Sequence, residues 1–121
     1  MIPSLQAITL TIGFVFFIVG VLFRIFSPRK INFIYGYRTS SSMRNIDTWR
    51  TANKYSASLM LFEGIILIII GFVAQQLPDS GAIEAALGVA LIIASIIILI
   101  ALTEKHLNKR FDKEGNRKKV A

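Results

Sequence analysis

"ASLMLFEGIILIIIGFVAQQL", residues 57–77, is a run of 21 residues with one charged side chain, Glu63. At about 1.5 Å per residue, a helix of this length spans the roughly 30 Å hydrocarbon core of a bilayer. Backbone groups in hydrocarbon must be satisfied within the segment, and the run lacks the polar alternation of a barrel strand, so a helix is expected. Residues 5–26 and 83–102 meet the same test. The chain therefore reads as an all-α membrane protein, a single domain of 121 residues with three transmembrane helices. Residues 5–26 carry no basic leader and no small-residue cleavage site, so this segment is expected to remain as the first helix rather than act as a signal peptide.

Charge sets the expected orientation. The fourteen Lys and Arg residues fall into two groups of seven, Arg24 to Lys54 and Lys105 to Lys119, whereas "QQLPDSG", 75–81, has none. Basic residues near helix ends stay on the cytoplasmic side, which puts the loop 27–45 and the tail 103–121 inside and the N-terminus outside. Pro78, Asp79 and Gly81 predict a tight outer turn between the second and third helices. The expected location is a bacterial cytoplasmic membrane, with the chain crossing it several times.

Small residues let helices approach closely where lipid removes the hydrophobic drive to associate. Gly13 and Gly20, and Gly64 and Gly71, each repeat at seven residues, and Ala82, Ala86, Ala90 and Ala94 at four. All three stripes are expected to be packing seams.

The second helix is predicted to begin well before it enters the bilayer. Asn45 or Asp47 can cap it, and 46–77 is too long for the hydrocarbon alone. Trp49, Asn53, Ser56, Met60 and Glu63 follow at helical spacing and form a polar stripe running into the membrane. A carboxylate at the depth of Glu63 needs a partner, a proton or a wet cavity. Two readings stay open: an ion pair with Arg24 near the end of the first helix, or a protonatable ligand for a cationic or peptide substrate.

The loop before that helix, "SPRKINFIYGYRTSSS", 27–42, is too specific for a generic linker. Pro28 stops the first helix, and Gly36 permits a turn between Tyr35 and Tyr37. Alternating Ile31, Phe33 and Tyr35 are expected at the membrane surface, with basic neighbours on anionic lipid. Arg38 offers five donors to a carboxylate or phosphate, Asn32 and Asn53 both donate and accept, and Trp49 brings a broad apolar face with one donor. These side chains form either a clamp that ties the loop to the bundle or a ligand site.

Pro28, Asn32, Gly36, Arg38 and Thr39, in the pattern P-x-x-x-N-x-x-x-G-x-R-T, followed by Trp49 and Asn53, resemble the signature of the SdpI/YfhL-type family. The best-known member is a membrane immunity protein that protects a Bacillus against its own sporulation-delaying peptide toxin. The resemblance is specific over 28–71 and fits the short, three-helix version; the founding protein has additional helices before the shared region. It implies that the motif residues Asn32, Gly36, Arg38, Thr39, Trp49 and Asn53 build a site at the cytoplasmic face, whereas Glu63 is a candidate by its depth in the membrane alone.

No cysteine, metal-ligand spacing or phosphate-binding loop is present, and the single histidine, His106, lies in the basic tail and reads as a surface residue. Neither enzymatic activity nor a cofactor is expected. Leu107 and Phe111 are expected on a membrane-facing side, with fraying beyond Gly115. Candidate partners are anionic lipid, a peptide toxin, a soluble regulator at the loop face and further copies of the chain; nucleic acid is not among them. The leading functional expectation is immunity to an amphiphilic antimicrobial peptide, by binding it or shielding its target. The alternative is a small proton-coupled transporter of a cationic or amphiphilic substrate that uses Glu63.

Overall fold

The computed structural model describes residues 5–32, 34–74, 76 and 82–118. Three helices follow in order: α1, Leu5–Ile25; α2, Ile46–Ala74; and α3, Ala82–Arg110. Each is long and apolar enough to cross a membrane, so the chain is a multi-pass, all-α membrane protein. The expected turn at Pro78, Asp79 and Gly81 lies outside the described residues.

α1 and α2 meet through their glycines. A Cβ on Gly64 would stand 2.6 Å from the Phe17 amide nitrogen and 2.8 Å from the Gly13 carbonyl oxygen. A Cβ on Gly20 would stand 2.8 Å from the Leu61 nitrogen. Backbones therefore touch directly along this seam, which is how membrane helices gain dispersion energy without a solvent drive.

The alanine stripe on α3 does not behave as expected. Ala82, Ala86, Ala90 and Ala94 are all exposed. The buried side of α3 instead carries Gly88, Ser95, Thr103 and Leu107, and a Cβ on Gly88 would press on Ile8 of α1 at 3.0 Å. Four-residue spacing fixes that residues share a face but not which way the face turns.

α2 starts where Asn45 caps it. The Asn45 Oδ1 accepts the Thr48 amide at 2.9 Å, and Thr48 Oγ1 accepts the Asn45 amide at 3.1 Å, a reciprocal cap with threonine at its third position. Asp47, the other candidate cap, instead binds Arg117 through both carboxylate oxygens, at 2.7 and 2.8 Å.

That contact belongs to a folded tail. Asp112 Oδ1 accepts the amides of Glu114 at 2.9 Å and Asn116 at 3.0 Å, and Phe111 bridges to Arg117 in an antiparallel turn. Gly115 takes φ +86° at its tip, and its carbonyl accepts Asn45 Nδ2 at 2.7 Å. The expected fraying beyond Gly115 is therefore replaced by order through Lys118. Leu107 and Phe111 point inward, not toward a membrane, and pack with Ala52 beside Tyr37. His106 is half-buried, its ring stacked on Tyr55 at 4.0 Å.

Candidate functional site

At the basic end of the bundle, the loop is fastened to α2 by the motif residues. Trp49 is fully buried and donates its indole N–H to the Pro28 carbonyl at 2.7 Å. Asn53, also buried, accepts the Tyr37 amide on Oδ1 at 2.6 Å and donates to the Trp49 carbonyl at 2.9 Å. Gly36 lies between them with φ +110°; a Cβ there would meet Asn53 Oδ1 at 2.6 Å and the Trp49 ring at 3.2 Å. Only glycine meets both the left-handed backbone and the lack of space. Asn32 works within the loop, accepting the amides of Ile34 and Tyr35 at 2.9 and 2.8 Å and donating to the Lys30 carbonyl at 3.0 Å. The amides of Asn32 and Asn53 and the Trp49 indole are thus engaged within the chain, which is the arrangement of a clamp.

Arg38 and Thr39 sit on the other side of the loop. Arg38 is exposed. Thr39 joins a contact that the sequence reading did not anticipate. Its hydroxyl and that of Tyr37 both donate to Glu104 Oε2 on α3, at 3.0 and 2.6 Å, while Ser41 donates to Oε1. Ser42 closes the turn below them, donating to the Tyr37 carbonyl at 3.0 Å. Burial, and then the Glu104 carboxylate, push the Tyr37 phenol above its usual range, so it remains a donor. Glu104 thereby ties the loop to α3 as Trp49 and Asn53 tie it to α2.

Ile31 and Tyr35 are exposed as expected for a membrane-surface segment, joined by Ile34 at 88% and Phe26 at 67%. Phe33 lies outside the described residues.

Deeper in the bundle, Glu63 is 9% exposed and borders a hollow of about 330 Å³ between α2 and α3. The walls are Leu59, Phe62, Ile66, Leu91, Ile98 and their neighbours, with Ser95 as the other polar side chain. Ser95 faces the same hollow as the carboxyl, and among the described residues Glu63 Oε1 has no hydrogen-bond partner. The expected ion pair with Arg24 is not formed. Arg24 stands at the basic end with Arg50, Lys54 and Ser27, whereas Glu63 points to α3. Among the described residues none of α1 lines the hollow, and Phe62, Ile66 and Ile98 are more than 40% exposed, so it opens sideways onto the apolar surface of the bundle.

The model of the SdpI/YfhL protein family matches residues 29–102, which include the clamp apart from Pro28, all of α2 and α3 as far as Leu102. The chain belongs to the SdpI/YfhL family. It is 37% identical over 103 residues to the uncharacterized protein YfhL of Bacillus subtilis strain 168, a likeness that covers 85% of this chain and 88% of that protein. No solved structure matches the chain. The family match includes Asn32, Gly36, Trp49, Asn53 and Glu63 but stops two residues short of Glu104, so the third anchor of the loop falls outside it.

Proposed function

We propose that this SdpI/YfhL-family protein gives a bacterial cell immunity to an amphiphilic antimicrobial peptide, holding the peptide or shielding its membrane target without chemical turnover. The observation that carries this reading is the lateral hollow with the unpartnered, buried Oε1 of Glu63 in its wall. A peptide lying in the bilayer can place an apolar side chain against Phe62, Ile66 and Ile98 and a donor on Oε1, and a buried acceptor left unpaired favours a ligand that supplies one. Clamp residues serve this reading by fixing the start of α2, and with it the height of Glu63.

In this arrangement the basic end lies in the cytoplasm and the connection between α2 and α3 outside, following the distribution of Lys and Arg. A cysteine at Ser80 should react with an impermeant reagent on intact cells, and one at Lys113 only after permeabilisation. The reverse pattern would overturn the orientation.

The same carboxyl supports a second reading, proton-coupled transport of a cationic or amphiphilic substrate. Growth under challenge with amphiphilic toxin peptides separates the two. Cells lacking the gene should be protected by the unaltered chain and by Glu63→Gln, which keeps hydrogen bonding, but not by Glu63→Leu. Protection abolished by Glu63→Gln, together with loss of proton uptake in vesicles, would favour transport. Absence of protection by the unaltered chain would reject immunity.

A further inference from the structure

A second hollow, of about 320 Å³, lies at the basic end where all three helices and the tail converge. Arg24 from α1, Lys54, Tyr55 and Ser58 from α2, His106 and Arg110 from α3, and Arg117 from the tail border it. No acid among the described residues lines the hollow, and Asp47 is bound in bidentate fashion by Arg117. Among the described residues, Arg24, Lys54 and Arg110 form no ion pair. Like charges drawn together around a concavity repel one another unless an anion joins them. Beside them stands a donor suited to an oxyanion, the hydroxyl of Tyr55, its ring held by the stack on His106, while the Ser58 hydroxyl donates to the Lys54 carbonyl at 3.1 Å.

We propose that this hollow binds the phosphate group of an anionic phospholipid. Three observations point to a phosphate on a lipid rather than a free one. The hollow lies at the height where the apolar runs end, at Arg24, Ser58 and just beyond Leu102, which is headgroup level for helices that span a bilayer. One turn deeper the same α2–α3 crevice becomes apolar at Leu59 and Leu102, a surface that receives an acyl chain and offers a free phosphate nothing. Exposed Ile25 and Phe26 flank Arg24 with further lipid-facing surface. Guanidinium groups bind phosphate oxygens in pairs, so Arg24 and Arg110 grip the head while Lys54 adds a point charge.

The proposal is independent of the toxin reading, because its cations lie apart from Glu63; Glu63→Gln should leave lipid binding unchanged. Native mass spectrometry of the full chain released from mixed micelles of phosphatidylglycerol and phosphatidylcholine tests it directly. Phosphatidylglycerol should be retained in preference to phosphatidylcholine, and inorganic phosphate at equal concentration should not displace it. Replacing Arg24, Lys54 and Arg110 together by Gln should reduce that preference by about tenfold or more, since each cation near a membrane surface contributes roughly a fivefold effect. Removing the same charge elsewhere, with Arg29, Lys30 and Lys105 each changed to Gln, should leave most of it. Equal retention of the two lipids by the unaltered chain overturns the proposal without any variant. Displacement by inorganic phosphate, or equal losses in the two triple variants, overturns the lipid source and the site respectively.

Discussion

The start and the middle of α2 bury polar groups in opposite ways. Around Trp49 and Asn53, the indole and both amide atoms find backbone partners at 2.6 to 2.9 Å, and none is left for a ligand. Ten residues further on, Glu63 is buried as well, but among the described residues one of its oxygens has no hydrogen-bond partner. A satisfied network rigidifies, whereas an unsatisfied group stores a binding energy that a partner can release. In this structure Trp49, Asn53 and Gly36 of the signature hold the loop, and the proposed ligand group lies on the helix that the loop adjoins.

If the clamp is structural, its disruption should cost stability first. Trp49→Ala should have the largest effect, about 3–5 kcal/mol, because it empties a fully buried ring site and strands the Pro28 carbonyl. Unfolding of the purified protein by SDS titration would measure it. A loss under about 1 kcal/mol would mean that the loop is not fastened there.

Glu104→Ala comes next, at about 2–3 kcal/mol, since it removes a charged acceptor shared by Tyr37, Thr39 and Ser41. Ser41→Ala made on top of Glu104→Ala should then cost almost nothing, although it costs stability on its own. Additive losses would show that Ser41 is held by something other than Glu104.

Gly36→Ala should cost about 1–3 kcal/mol through a strained left-handed backbone and a Cβ 2.6 Å from Asn53 Oδ1. Trp49 is the sole tryptophan, so its emission reports on this region alone. A red shift in the Gly36→Ala variant is expected as the clamp loosens. An unshifted spectrum would argue that Gly36 is spare.

What the sequence revealed depended on how far apart the partners lay. The three helices were legible because length and apolarity are local properties that a bilayer reads directly. The α1–α2 seam was legible because Gly13, Gly20, Gly64 and Gly71 keep a seven-residue period, and the cap at Asn45 because its partner is three residues away. Glu104 was not, since its partners lie 63 to 67 residues back and a glutamate in "TEKHLNKR" looks like any solvated helix end. The tail was partly legible: Asp112 and Gly115 have turn chemistry, yet only the Asn45 and Asp47 contacts explain why the turn stays docked. The Arg24–Glu63 pair failed because similar depth in a membrane says nothing about facing direction, and Glu63 turns to α3 while Arg24 joins the basic cluster.

The smallest stability effect should come from Glu63, and that is what distinguishes it. A carboxyl held by a network, such as that of Glu104, loses its partners when replaced; Glu63 has Ser95 across the hollow and, among the described residues, an oxygen without a hydrogen-bond partner. Glu63→Gln keeps the volume and a Ser95 contact while removing the acid, so stability should change by no more than about 0.5 kcal/mol, and Glu63→Leu, which takes a polar group out of an apolar wall, should be neutral or stabilising. Function should move the other way, with Glu63→Leu removing protection against the peptide in a protein that is no less stable. That combination, measured as SDS unfolding beside growth under toxin, is the mark of a group kept for a ligand. If Glu63→Leu instead destabilises as strongly as Glu104→Ala, then Glu63 is a second structural anchor, the contrast along α2 disappears, and the ligand must be sought elsewhere.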